Sequence, residues 1–256
     1  MSARYDCADT QQREDGLVAA ASAVQQGQLV VLPTDTVYGL GADAFTPSAV
    51  AALLAAKGRG RNMPPPVLVG SVRAAAALTE SLGAYGQDLI DEFWPGPLTL
   101  VFRASPTLRW DLGDTQGTVA VRMPLHPIAL DLLRRTGPMA VSSANLHGQP
   151  AATTADEAAE QLREEVAVYL DGGTCADSAP STILDLTGTV PRLLRAGVIS
   201  IDALRKVVPV IEVPAPVAAP PQNDDVSPAD RRAQETIAAA KPALPHPMEN
   251  PTDKGA

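Results

Sequence analysis

The chain has 256 residues, of which 45% are hydrophobic, so it can form one globular domain with its own core and a further segment. Its formal net charge of -9 argues against a general nucleic-acid binder, because affinity for phosphates depends on clustered lysine and arginine. Cys7 and Cys175 are too far apart for a CxxC zinc site or a disulfide framework, and no apolar run reaches the ~20 residues of a membrane span.

Helical patterns alternate along the chain with short runs of β-branched residues. The polar N-terminus, residues 1–13, lacks the features of a secretory signal, so we expect a soluble, cytoplasmic protein. The first predicted elements are a helix over residues 15–26 and a strand over residues 28–32. Further helices are predicted over residues 48–56, 72–80, 85–93, 128–135 and 155–164. Further strands are predicted over residues 67–69, 99–102, 119–122, 139–142, 166–169, 182–185 and 192–195. This alternation predicts an α/β layer fold.

The composition changes after residue 208. Ten of the 24 prolines lie in residues 209–256, among alanine-rich and mixed-charge stretches that lack an apolar period. This composition predicts one folded domain over residues 1–208 and a disordered tail over residues 209–256. A short helix near residues 229–240 would have almost no apolar face, so no function is assigned to it.

The segment PTDTVYGLG, residues 33–41, follows the predicted strand 28–32 and concentrates hydroxyl groups, a carboxylate and a phenol. Loops at strand ends commonly bind ligands in α/β proteins, although these residue types also form plain turns. The spacing Gly39-x-Gly41-x-x-Ala44 is not a dinucleotide fingerprint, because no helix is predicted there and no acidic residue occurs over residues 44–79. The segment is therefore a candidate for a polar ligand site.

The acid-free stretch over residues 44–79 carries a local charge of +4, from Lys57, Arg59, Arg61 and Arg73. The sequence KGRGR, residues 57–61, directly follows the predicted helix 48–56. Glycines let the backbone approach a ligand, and guanidinium groups match phosphate oxygens. The stretch predicts an anion site, with a solvated basic loop as the alternative.

Other polar groups also lie beside predicted strands. Thr118 and Arg122 share one face of a strand, and residues 142–145, SSAN, offer hydroxyl and amide groups, which also suit a cap or turn. Residues 180–183 and 195–197 add Ser181 and Arg195, whereas the turn WPGPLT looks mainly architectural. The sequence has no P-loop, no nucleophile elbow and no metal-spaced histidine pair. Chemistry by positioned anions, such as nucleotidyl or acyl-phosphate transfer, fits this set.

Seven segments resemble, in order, those of the YrdC-like threonylcarbamoyl-AMP synthases: PTDTVYGLG, KGRGR, WPGPLT, TVAVRMP, SSANLHGQP, STILDL and LLRAG. The resemblance extends over residues 16–207. It implies an α/β fold with a twisted mixed sheet and flanking helices around a large concave basic cleft. It also implies that L-threonine, bicarbonate and ATP with Mg²⁺ are converted to threonylcarbamoyl-AMP and pyrophosphate, for the threonylcarbamoyladenosine modification of tRNA.

The resemblance also assigns roles to individual residues. On the L-threonine side it implies Thr36, Arg122, Ser143 and Ser181. On the ATP side it implies Arg59, Thr118, Asn145, Thr153 and Arg195. Lys57 and Arg59 are implied as catalytic residues beside the phosphates, with no metal ligand from the protein. The implied partners are tRNA, by direct contact, and the downstream threonylcarbamoyl-transferase proteins.

The sequence departs from the family pattern at three positions. Many relatives have Asn-Pro-Leu and then His or Lys after the basic loop, where this chain has Met63 and Leu68, and His147 replaces a common serine. The tail lacks the apolar pattern of the second domain found in longer members, so we expect the short form. One alternative is an RNA-binding or ribosome-maturation accessory protein that uses the same cleft. Another is a carbamoyl-transfer module of hydrogenase maturation, against which the missing cysteine clusters count.

Overall fold

A computed structural model describes residues 2–175 and 179–214. This part of the chain contains the strands β1 (Ala3–Asp6), β2 (Val30–Leu32), β3 (Gly39–Asp43), β4 (Val67–Leu68), β5 (Leu98–Arg103), β6 (Thr118–Arg122), β7 (Met139–Ser143), β8 (Val168–Asp171), β9 (Thr182–Asp185) and β10 (Arg192–Arg195). Its helices are α1 (Thr10–Gln25), α2 (Pro47–Ala56), α3 (Val72–Leu78), α4 (Gly83–Phe93), α5 (Pro127–Thr136), α6 (Ala155–Leu162) and α7 (Ile201–Val207), with a 3₁₀ turn at Arg163–Glu165. None of these helices is long and apolar enough to span a bilayer.

All ten strands form one mixed sheet in the order β1-β8-β2-β3-β7-β4-β6-β5-β9-β10. The pairs β1/β8, β2/β8, β4/β6 and β5/β9 are parallel, and the remaining pairs are antiparallel. The predicted α/β fold with a mixed sheet and flanking helices is confirmed. Because neighbouring strands run in both directions, loops from several parts of the chain meet near the middle of the sheet.

Helices cover the two faces of the sheet unequally. One half of the sheet consists of β1, β8, β2, β3 and β7. Helices α1 and α5 pack on one face of this half, and α2 and α6 pack on the opposite face. In the other half, the described helices α3, α4 and α7 all pack on one face, where Leu100, Val121 and Leu184 are completely buried. The alternate residues Val101, Ala120 and Ile183 point to the other side and remain partly exposed. No helix of the described residues packs on this side of β5, β6 and β9, which we call the open face.

Three elements are missing from the sequence-based prediction, namely β1, β3 and α7. Strand β1 is half exposed and polar, with Arg4 paired to Asp171 and Asp156, so its alternation carries little apolar signal. Strand β3 has the sequence GLGAD, and glycine is normally depleted in strands. Helix α1 begins five residues earlier than predicted because the Asp9 side chain accepts a hydrogen bond from the Gln12 amide.

The folded part of the chain extends a little beyond the predicted boundary at residue 208. Ile211 is buried in the same core as α4 and α7, and Glu212 exchanges backbone hydrogen bonds with Pro191 and Leu193 beside β10. Residues 209–214 therefore belong to the domain rather than to the predicted tail. The remainder of that tail, including the short helix predicted near residues 229–240, lies outside the described residues.

Candidate functional site

A cavity of about 350 Å³ lies beside the middle of the sheet, at the edge of the open face. We call it the main cavity. Its walls come from the β2–β3 loop, the basic loop after α2, the ends of β4, β6 and β7, and the start of β9. Six of the predicted site residues line it together: Thr36, Arg59, Arg122, Ser143, Ser181 and Arg195. The structure thus brings together polar groups that are up to 159 positions apart in sequence (195 minus 36).

Arg122 lies at the end of β6 and is almost completely buried. Its guanidinium group donates from Nε to the Gly96 carbonyl at 3.0 Å and from the two terminal nitrogens to Thr36 Oγ1 at 3.1 Å and Asp35 Oδ1 at 2.5 Å. Burial lowers the pKa of Arg122, while Asp35 opposes this shift by stabilising the charged form. One N–H on each terminal nitrogen remains available, so the fixed guanidinium group of Arg122 can bind an anionic group.

The β2–β3 loop is fixed by its own hydroxyl groups. Thr34 Oγ1 donates to the Val37 carbonyl at 2.6 Å and accepts from the Thr36 amide at 3.2 Å. It also lies 3.1 Å from Thr36 Oγ1. The segment was predicted to form either a plain turn or a ligand site. It can do both, because the turn places the Thr36 hydroxyl against Arg122.

Arg195, which also lines the cavity, is hydrogen-bonded to Ser181. Its Nε and one terminal nitrogen donate to the Ser181 carbonyl at 3.0 and 2.8 Å, and the same terminal nitrogen is 2.9 Å from Ser181 Oγ. Ser181 Oγ is also 2.8 Å from Thr99 Oγ1. Desolvation lowers the pKa of Arg195, and the nearby positive charges of Arg122 and Arg59 lower it further. Three guanidinium groups therefore act on one cavity.

Arg59 extends from the basic loop toward the end of β7. Its terminal nitrogen donates to Ser142 Oγ at 3.1 Å, and its Nε donates to His147 Nδ1 at 3.4 Å. Burial lowers the pKa of this half-buried guanidinium. His147, which replaces the serine of many relatives, therefore contributes to the orientation of Arg59. Leu68, the second departure, lines the main cavity next to Arg122 across the β4/β6 pair.

Four predicted site residues do not line the main cavity. Thr118 is on the open face, on the same side of β6 as Arg122 but about 13 Å along the strand. The Thr153 amide and hydroxyl bind the Glu157 carboxylate at 2.7 and 3.0 Å. The Asn145 side chain is engaged with Leu146, Gln149 and Lys57. The fourth is Lys57 itself, which is completely buried behind the cavity wall.

Several groups that shape the site were not among the residues predicted from the sequence. Asp35 carries the only carboxylate paired with Arg122 in the described residues, and the Gly96 carbonyl of the WPGPLT turn holds Nε. Thr34 supports the hydroxyl group of Thr36, and Thr99 supports that of Ser181. The density of polar residues in PTDTVYGLG was the available signal for Asp35 and Thr34. No comparable signal marked Thr99, because its partner Ser181 is 82 residues away.

Within residues 2–175 and 179–214, no group of three or more His, Cys, Asp or Glu side chains is placed to hold a metal ion. The main cavity, as described, is lined by arginines, hydroxyl groups and apolar side chains, without a carboxylate, imidazole or thiol. Such a lining can orient anions and stabilise negative charge, but it offers no evident general base. Fold and site together define an α/β protein with a cavity lined by arginines and hydroxyl groups, a lining whose chemistry suits anions.

The Sua5/YciO/YrdC family model, described as "Telomere recombination", matches residues 22–197. The chain therefore belongs to this family. It is 56% identical over 210 residues to a putative threonylcarbamoyl-AMP synthase of Mycobacterium tuberculosis, covering 82% of this chain and 97% of that protein.

Solved structures show the same fold. Sua5 of P. abyssi complexed with L-threonine superposes with a TM-score of 0.76 at 35% identity, over 84% of this chain and 62% of that one. YciO of E. coli superposes with a TM-score of 0.68 over 80% of this chain and 100% of that one, at 22% identity, which supports the fold alone. The family resemblance read from the seven sequence segments is confirmed.

Proposed function

We propose that this protein is an L-threonylcarbamoyladenylate synthase, an enzyme that transfers AMP from ATP to an N-carboxylated threonine. The observation that carries the proposal is that three arginines and three predicted hydroxyl residues line one cavity. These residues are Arg59, Arg122, Arg195, Thr36, Ser143 and Ser181. The names of the similar proteins support the same activity. The substrates are L-threonine, bicarbonate and ATP, and Mg²⁺ enters bound to ATP.

The walls of the main cavity suggest how the substrates are divided. Arg122, held from behind by Asp35 and Gly96, has two free N–H groups for the threonine carboxylate, with the hydroxyl of Thr36 beside it. Ser143 and Ser181 complete this side. Arg59 and Arg195 supply positive charge for the phosphates, and the open face beyond them, toward Thr118, accommodates the rest of the nucleotide.

The reaction requires two bond-forming steps. The threonine amine forms a C–N bond with bicarbonate and water is released, which gives a carbamate. A carbamate oxygen then forms a bond to the α-phosphorus of ATP, and the bond from that phosphorus to pyrophosphate breaks. Negative charge is redistributed among phosphate oxygens in the second step, so fixed arginines stabilise its transition state. The described lining suits catalysis by position and charge.

The product supplies the threonylcarbamoyl group for modification of tRNA, so the proposed partners are downstream threonylcarbamoyl-transferase proteins and tRNA, and the proposed location is the cytoplasm. An RNA-binding accessory role in the same cleft is the competing function. The net charge of -9 argues against it, because such binding depends on positive charge spread over a large surface.

A direct assay separates these two functions. Purified protein is incubated with ATP, Mg²⁺, bicarbonate and L-threonine, and pyrophosphate and threonylcarbamoyl-AMP are quantified. We expect product only when both threonine and bicarbonate are present, and much less product with serine. Folded protein that forms no product, yet binds RNA in a salt-dependent manner, would instead establish the accessory role.

A further inference from the structure

Lys57 is a charged residue whose entire side chain is removed from solvent. It follows the last turn of α2, and its relative exposure is 0%, although lysine is rarely fully buried without a charged partner. In the described residues no carboxylate forms an ion pair with it. The residue therefore needs another source of stabilisation.

That stabilisation comes from three oxygen atoms of the segment after β7. Lys57 Nζ donates to the Ser143 carbonyl at 2.5 Å, the Asn145 carbonyl at 2.6 Å and Asn145 Oδ1 at 3.0 Å. An ammonium group has three N–H donors and no acceptor, so this set uses its whole capacity. Burial, together with the charge of Arg59, lowers the pKa of Lys57 to about 7. No donor on Nζ remains for a ligand.

The contact between the two segments continues outside the buried amine. The Lys57 carbonyl accepts a hydrogen bond from the His147 amide at 2.9 Å. Two residues later, Arg59 donates to Ser142 and His147 from the cavity side. Lys57 thus binds residues 142–147 from the protein interior, and Arg59 contacts the same segment from the main cavity.

We propose that Lys57 is a positioning residue that holds residues 142–147 so that Arg59 and Ser143 face the main cavity. It acts through these residues and does not itself contact the nucleotide. The inference rests on the proposed function, but it differs from the family resemblance, which implied a catalytic place for Lys57 beside the phosphates. The buried amine and its three acceptors favour the positioning role, because a contact with phosphate would require these hydrogen bonds to break.

The test is a double-mutant cycle on MgATP affinity, measured by calorimetry with Lys57→Met, Arg59→Ala and the double variant. We expect Lys57→Met to weaken binding about tenfold in the wild-type background but less than about threefold when Arg59 is already alanine, because residues that act through one another are not additive. Lys206→Met, an exposed lysine of α7, is the matched control and should not change affinity. Equal losses in both backgrounds would mean that Lys57 acts independently of Arg59 and would overturn the proposal.

A second measurement does not depend on nucleotide binding. Hydrogen exchange of the amides in residues 143–149 should accelerate at least about tenfold in Lys57→Met, while α4 keeps the wild-type rate. Unchanged exchange in residues 143–149 would overturn the positioning role even if the protein bound no ATP. Failure of wild-type protein to bind MgATP would contradict only the proposed function. If Lys57→Met does not fold, Lys57→Gln, which keeps two N–H donors, serves in both measurements.

Discussion

Arg122 shows how the fold turns an ordinary residue into part of a binding site. Its position at the end of a strand, four residues after Thr118, could be read directly from the sequence. Its partners could not be predicted, because Asp35, Thr36 and Gly96 come from two other loops. The same limit applies to Lys57, whose position in the KGRGR loop indicated a phosphate contact, whereas its side chain turns inward to carbonyl groups.

Replacing Arg122 with lysine tests the importance of its planar fork. Lysine keeps the charge but cannot donate to Gly96, Thr36 and Asp35 while also receiving a carboxylate. We expect kcat/KM for threonine to fall roughly 10- to 100-fold, the range for losing one or two hydrogen bonds to a charged group. Steady-state kinetics with varied threonine measure this change.

The matched control for this substitution is Arg135→Lys on α5, where arginine forms a surface ion pair with Glu14. Surface ion pairs contribute little to stability, so this variant should retain wild-type kinetics. If the two variants behaved alike, Arg122 would not be the carboxylate-binding residue.

Among the strands, β3 is the one whose sequence is least typical of its structure. Its glycines allow close packing on β7, because an added Cβ at Gly39 would lie 2.6 Å from Val141 Cγ1, and one at Gly41 would lie 2.7 Å from Met139 Cε. Strand propensity alone therefore argues against β3, and only the neighbouring strand explains it. The prediction for helices was better, since the amphipathic pattern of α5 and the Pro47 start of α2 are local features.

Alanine substitutions distinguish the two glycines of β3. Val141 is β-branched and stiff, so Gly39→Ala should reduce the free energy of unfolding by about 1–3 kcal/mol through overpacking. The end of the flexible Met139 side chain can move, so Gly41→Ala should cost less than about 1 kcal/mol. Urea unfolding of both variants measures the difference. An equal loss of unfolding free energy in both variants would show that β3 shifts as a whole. The stiffness of Val141 and the flexibility of Met139 would then not determine the loss.

The extent of the domain is decided by contacts between distant segments. Ile211 is only 6% exposed, in a core shared with α4 and α7, whereas its neighbour Val210 is 65% exposed. The sequence boundary at residue 208 was based on proline content, which increases before the last buried side chain. Composition describes a segment as a whole and does not identify one residue that packs.

Substitutions at these two neighbouring positions test whether the domain includes residues 209–214. We expect Ile211→Ala to lower the unfolding free energy by about 2–4 kcal/mol, because it leaves a cavity in the core. The melting temperature should fall by roughly 5–15 °C for a domain of this size. Val210→Ala should remain within about 0.5 kcal/mol of wild type. Thermal unfolding of the full chain is the measurement, and similar shifts for both variants would place the boundary before residue 209.

The sequence by itself determined the fold class, most of the helices and strands, and the family, because apolar periodicity, turn residues and seven ordered segments are local features. Through the family resemblance it also named ten candidate site residues, six of which line the main cavity. Only the tertiary structure decided how they are held, since the partners of Arg122, Arg59 and Arg195 come from other segments of the chain. The tertiary structure also shows that Lys57 is buried and does not line the main cavity. The reason is physical: the direction and burial of a side chain depend on packing between segments, which no local pattern encodes.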